Sequence, residues 1–182
     1  GLENIYDHYL SEGAADRMCA YLKERWEKPG SRYHVMKEMF ACLHKLEVLS
    51  ADWPKKVRHY EKVLFGGGRK QYEALHQYRM PDKIAEQLLS YFIYVYFAGA
   101  VYDGMPYSKV KLAVISTMLI EDMVCAKAAE KGQLSFEAIA DAAHSYAREV
   151  EHSDLNLQRL SIMFRHQKCF HIGRLCGALL EW

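Results

Sequence analysis

Residues 82–129 read DKIAEQLLSYFIYVYFAGAV-YDGMP-YSKVKLAVISTMLIEDMVCAKAA, and this stretch decides the fold. In its first limb Leu88, Leu89, Phe92, Ile93, Tyr96 and Phe97 recur at three- and four-residue steps, the helical period. That limb is apolar around most of its circumference, which predicts the centre of the core. Tyr102-Asp103-Gly104-Met105-Pro106 then reads as a turn, with Pro106 suited to the first turn of a following helix through Val110, Val114, Leu119, Met123 and Ala126. Two long apolar helices joined by four residues predict an antiparallel hairpin over 82–101 and 106–129.

Working outward, Leu10, Ala14, Met18, Tyr21, Leu22 and Trp26 give one buried stripe on a helix stopped at Pro29-Gly30. Ser31 is the expected cap of a second helix reaching Leu46, and Trp53-Pro54 opens a third, more basic one. Gly66-Gly67-Gly68 reads as a flexible hinge, because it lacks the lysine and hydroxyl of a phosphate-binding loop. A short helix around Tyr72 to Tyr78 follows. Beyond the hairpin, Lys131-Gly132 ends a helix, Ser135 caps another to about Glu151, and Ser153-Asp154 starts the next. Residues 170–182 form a last short one. No stretch alternates long enough for a strand. The expectation is an all-α chain, a single-domain irregular bundle of seven to nine helices over residues 1–182.

Composition narrows the function. With 24 Lys and Arg against 23 Asp and Glu the net charge is +1, which supplies no field to attract nucleic acid. The run Leu88 to Val101 falls short of the roughly 20 residues a bilayer span needs, so no membrane partner is expected. Five cysteines, Cys19, Cys42, Cys125, Cys169 and Cys176, lie among apolar residues without a CxxC pair. They read as reduced core thiols of a cytoplasmic protein, with no cofactor held in this chain. The chain opens on Gly1 without a charged and then apolar leader, and reads as a piece of a longer protein.

Two Glu-x-x-His pairs, Glu73/His76 and Glu149/His152, place a carboxylate and an imidazole on one helix face, as di-iron bundles do. Glu38 and Glu121 could complete such a set, and Glu121 with Asp122 sits in an apolar run where a charge needs a partner. However, 15 Glu and 9 His yield about one such pair by chance. The polar segment His144 to Asp154 gathers Arg148, Glu149 and His152, which could bind an anionic group or orient a water. A capping and ion-pairing role explains the same residues. Tyr91, Tyr94, Tyr96, Tyr102 and Tyr107 read as core with their hydroxyls at the rim, or as the lining of an amphipathic groove.

Taken in order, Tyr91-Phe-Ile-Tyr94, Ala100-Val-Tyr-Asp-Gly104, Tyr107 to Ser116 and Tyr146 to Leu157 resemble the C-terminal half of flagellin lysine-N-methylase-like proteins. The resemblance implies methylation of flagellin lysines with S-adenosylmethionine. The family's N-terminal cysteine cluster, which implies a metal or iron-sulfur centre, has no counterpart here. The chain is then expected to supply substrate docking or part of an active-site wall and to be inactive alone. Tyr102, Asp103, Arg148, Glu149 and His152 are the residues this resemblance singles out. A non-enzymatic helical interaction module is the competing expectation, and a di-metal bundle the third.

Overall fold

A computed structural model describes residues 8, 10–26 and 31–181. Its helices are α1 (Ala14–Trp26), α2 (Ser31–Leu43), α3 (Trp53–Phe65), α4 (Gly68–Leu75), α5 (Asp82–Tyr96), the single turn α6 (Ala100–Asp103), α7 (Pro106–Lys131), α8 (Phe136–Tyr146), α9 (Asp154–His166) and α10 (Ile172–Leu180). No strand occurs among the described residues, so the chain is all-α as expected. The stop at Pro29-Gly30 lies outside the described residues, as does the position that would precede Ser31, already the first residue of α2.

The hairpin is present, but its two limbs exchange the predicted roles. α7 is the central helix: 16 of its 26 residues are buried, around the whole circumference. α5 packs along it through Ile84, Leu88, Leu89, Phe92 and Tyr96, yet only Phe92 is fully covered. Both limbs are rich in apolar residues, and periodicity cannot say which of two such helices the others will surround. α2, α3, α8 and α9 all close on α7. From Asp82 to Asp103 the outer limb is continuous over 22 residues and contains an 18-residue window of mean hydropathy 1.3, long and apolar enough by length and composition to cross a membrane. That corrects the shorter span read from Leu88 to Val101.

Of the two readings of the tyrosines, core or groove lining, Tyr96 packs against the core, whereas Tyr91, Tyr94, Tyr102 and Tyr107 are exposed and do not fit the core reading. Cys42, Cys125, Cys169 and Cys176 are buried as predicted, while Cys19 is exposed on α1. That helix leans on α10 alone among its larger contacts, so its stripe is only partly covered and Tyr21 faces solvent. The three glycines join α3 to α4 directly. Gly66 continues the helical conformation, bonding Lys62, and only Gly68, at φ 79°, needs the left-handed region.

Local signals held where they rest on backbone chemistry. Gly132 adopts φ 71°, with the Gln133 N–H on the Ala128 carbonyl at 3.1 Å and the Gly132 N–H on that of Ala129 at 3.3 Å. Ser135 Oγ accepts the Ala138 N–H at 3.2 Å, and Ser153 Oγ that of Asn156 at 3.2 Å. A π-turn over Ala147–Glu151, which no sequence signal announced, extends α8 and adds one residue to its last turn. We predict that Ser135→Ala costs about 1 kcal/mol and lowers Tm by about 2–4 °C in calorimetry.

Candidate functional site

Arg32, the second residue of α2, is carried into the core against α7 with its side chain only 1% exposed. Its Nη2 donates to Asp122 Oδ1 at 3.0 Å and stands 3.7 Å from Glu121 Oε2. The other Asp122 oxygen accepts the Tyr72 hydroxyl of α4 at 2.8 Å, and the Arg32 backbone N–H donates to the Glu181 carboxylate at 2.6 Å. Tyr72 is stacked on Phe65 and meets the His76 ring edge-on, with centroids 4.8 Å apart. Four segments distant in sequence therefore meet around one buried arginine, its guanidinium on Asp122 and its backbone N–H on Glu181.

Burial works against the charge of Arg32, but Asp122, Tyr72 and Glu121 outweigh it and hold its pKa above the usual value. Burial and the Asp122 charge push the Tyr72 hydroxyl well up. His76 is pushed down, by burial first and by Arg32 second. Glu121 behaves differently from its neighbour. Burial raises it to about 8, with Arg32 opposing and Asp122 reinforcing the shift. At 3.7 Å the guanidinium is too far for a hydrogen bond, so desolvation wins.

Glu121 also lines a cleft of about 340 Å³ between α5 and α7, closed at one side by Leu179 of α10. Ala85, Leu89, Val114 and Met118 supply apolar wall, while the more exposed Arg79, Asp82 and Glu86 form the rim. The sequence pointed to Glu121 and Asp122 by demanding a partner for charges in an apolar run. It gave no sign that Arg32 was that partner, because the two are 90 residues apart.

The residues singled out from the sequence are held differently. Glu149 is fully buried, and its Oε2 accepts the N–H groups of Leu49 and Ser50, each at 3.1 Å. Arg148 reaches Glu149 at 3.5 Å, Ser50 Oγ at 3.2 Å and Asp52 at 3.7 Å, whereas Glu151 accepts the Tyr91 hydroxyl. Asn156 completes this joint: its Oδ1 accepts the Glu47 N–H at 2.7 Å and its Nδ2 donates to the Glu149 carbonyl at 2.7 Å. The π-turn aims Glu149 inward, so Arg148 and Glu149 tie the 47–52 segment to the α8–α9 junction and leave the carboxylate no open side. His152 is exposed and shares none of these contacts. Tyr102 is the most exposed large hydrophobic residue among those described, and Asp103 pairs with Lys109 at 2.7 Å beside a second cleft of about 330 Å³.

The di-metal set is not assembled. Glu38 is held by both Arg174 nitrogens at 2.7 and 2.9 Å, Glu73 by Arg69 at 2.6 Å, and Glu149 by backbone, away from His76 and His152. Among the described residues no three His, Cys, Asp or Glu side chains converge to hold a metal. The metal or iron-sulfur centre implied for the whole family protein therefore does not fit the residues described here.

A family model described as the FliB lysine N-methylase C-terminal domain matches residues 1–178. The chain belongs to that family. Neither the curated proteins nor the solved structures supply a match. The matched span holds Arg32, Tyr72, Glu121, Asp122 and the α8–α9 joint, while Leu179 of the cleft and Glu181 lie just beyond it.

Two outcomes follow from the cluster. Arg32→Met leaves Asp122 without its cation and is expected to cost about 3–5 kcal/mol, seen as a lower urea midpoint. For Glu121 the folded state holds a proton that the unfolded chain releases, between the ordinary carboxylate range and about 8. Its contribution to stability therefore falls as pH rises through that window, and the pH dependence of urea unfolding should be flatter in Glu121→Gln.

Proposed function

We propose that this chain is the substrate-docking portion of a flagellin lysine-N-methylase-like protein, taking a polypeptide along the outer face of α5 and α6 beside the Glu121 cleft. One observation carries the reading. From Gln87 through Tyr102 there is no charged residue, and Tyr94, Val101 and Tyr102 are 87%, 85% and 93% exposed. A contiguous apolar face of this kind fits a binding surface better than bare solvent. Tyrosine suits the task, giving a large contact area at small entropic cost and a ring face for a lysine ammonium.

The face is not isolated from polar chemistry. A shallow groove lined by Lys83, Gln87, Ser90, Tyr91 and Tyr94 shares Glu86 with the Glu121 cleft. A polar cleft beside the apolar face favours substrate docking over a purely adhesive module. Tyr102 and Asp103 belong to this surface by position, whereas Arg148 and Glu149 support it from behind through the joint that also positions Glu151 under Tyr91. The reading assigns the chain recognition of the polypeptide and leaves methyl transfer, with S-adenosylmethionine, to the rest of the enzyme. Its buried free thiols support a cytoplasmic setting.

The test is a flagellin association assay on the full-length protein. Tyr94→Glu combined with Val101→Glu alters only exposed side chains, so helicity by circular dichroism should be kept while association weakens about tenfold or more. Unchanged association would overturn the docking reading.

A further inference from the structure

We propose that the cleft between α5 and α7 is a receptor for a primary ammonium on an unbranched aliphatic stem, with Glu121 meeting the charge. The proposal deepens the docking reading, since a lysine side chain is the polypeptide group of that chemistry. Its evidence is the cleft itself.

Three features select the ligand. Both Asp122 oxygens are engaged, by Arg32 and by Tyr72, whereas Glu121 accepts no hydrogen bond among the described residues. A carboxylate placed on a cleft wall without a donor is open to a ligand that brings one. The charges around it come from every packed element: Arg32 from α2, Arg79 from the segment before α5, Asp82 and Glu86 from α5, and Asp122 beside it on α7. Once Glu121 is ionised, four carboxylates face Arg32, Arg79 and the Lys83 ammonium that meets Glu86 at 3.4 Å, which leaves one negative charge for a cationic ligand to neutralise and disfavours an anionic one. Ala85, Leu89, Val114, Met118 and Leu179 then offer an apolar sleeve for a methylene stem, while the compact ammonium reaches the carboxylate.

Binding is linked to a proton. Because burial holds Glu121 at about 8, the empty cleft is mostly protonated at neutral pH. The arriving alkylammonium keeps its protons, and the Glu121 carboxylic acid releases its one proton to solvent as the ammonium–carboxylate pair forms, so charge and atoms balance. Capture therefore strengthens as pH rises toward 8. Tyr72 and Cys125 also border the charged cluster, but both are shifted further up by burial and stay neutral in this range.

The experiment is isothermal titration of the chain with n-butylamine hydrochloride at pH 7, in phosphate and in Tris. Saturable binding is expected, with apparent enthalpies that differ between the buffers by the heat of close to one released proton. Glu121→Gln should weaken it at least tenfold. Ala85→Leu, which narrows the sleeve without touching a charge, should weaken it as well, and sodium butyrate should not bind. Absence of amine binding by the wild-type chain, equal binding by a folded Glu121→Gln protein, or preference for butyrate would each overturn the ammonium site. Binding with the same enthalpy in both buffers would overturn the proton exchange. None of these results bears on flagellin association through Tyr94 and Val101, so the docking reading stands or falls separately.

Discussion

The contact of Arg32 with Asp122, closed on the far side by Tyr72, is the constraint on which the rest of the arrangement depends. α7 can be buried around its whole circumference only if the two adjacent carboxylates on it are compensated, and the desolvation of a lone buried carboxylate costs several kcal/mol. A guanidinium from α2 and a phenol from α4 provide the compensation. α2 is in turn held at its start by the Glu181 carboxylate on the Arg32 N–H. A buried ion pair of this kind adds little net stability over an apolar replacement, but it fixes which helices may face one another. The register of α2, α4 and the C-terminal segment around α7 follows from it.

The same cluster creates the chemistry. Arg32 can satisfy Asp122 fully or share itself between two carboxylates, and it sits 3.0 Å from one and 3.7 Å from the other. The neglected partner, Glu121, is left at the wall of a cleft with its pKa raised to about 8. A core that had balanced both carboxylates equally would have no such group. The structural device and the candidate site are thus one feature viewed from two sides of α7.

A second polar knot is built on a buried carboxylate with Arg148 at its exposed edge. Glu149 points inward because the π-turn adds a residue to the end of α8, and it spends its carboxylate on two backbone N–H groups of the 47–52 segment. Sequence reasoning saw a polar helix junction there and could weigh only its composition. Binding and capping or pairing were both open there; Ser153 caps α9 and Arg148 pairs with Glu149, while the burial of Glu149 was invisible, since neither Leu49 nor Ser50 carries a side-chain signal that it will need an acceptor. The tyrosines from Tyr91 to Tyr107 were left between core and groove for a related reason: helical spacing of aromatics is the same on a covered face and on a bare one.

The sequence by itself determined the all-α class, the hairpin around the 102–106 turn, and the ends at Pro106, Gly132, Ser135 and Ser153. These depend on interactions within a few residues, through 3.6-residue periodicity, the left-handed tolerance of glycine and the reach of a serine hydroxyl. It also showed that Glu121 and Asp122 required a partner. Only the tertiary structure decided that the partner is Arg32, that α7 and not α5 is the central limb, and that Glu121 is the carboxylate left facing a cleft. Those outcomes are set by contacts between residues 50 to 90 positions apart, and no local pattern encodes which of several distant helices arrives to make them.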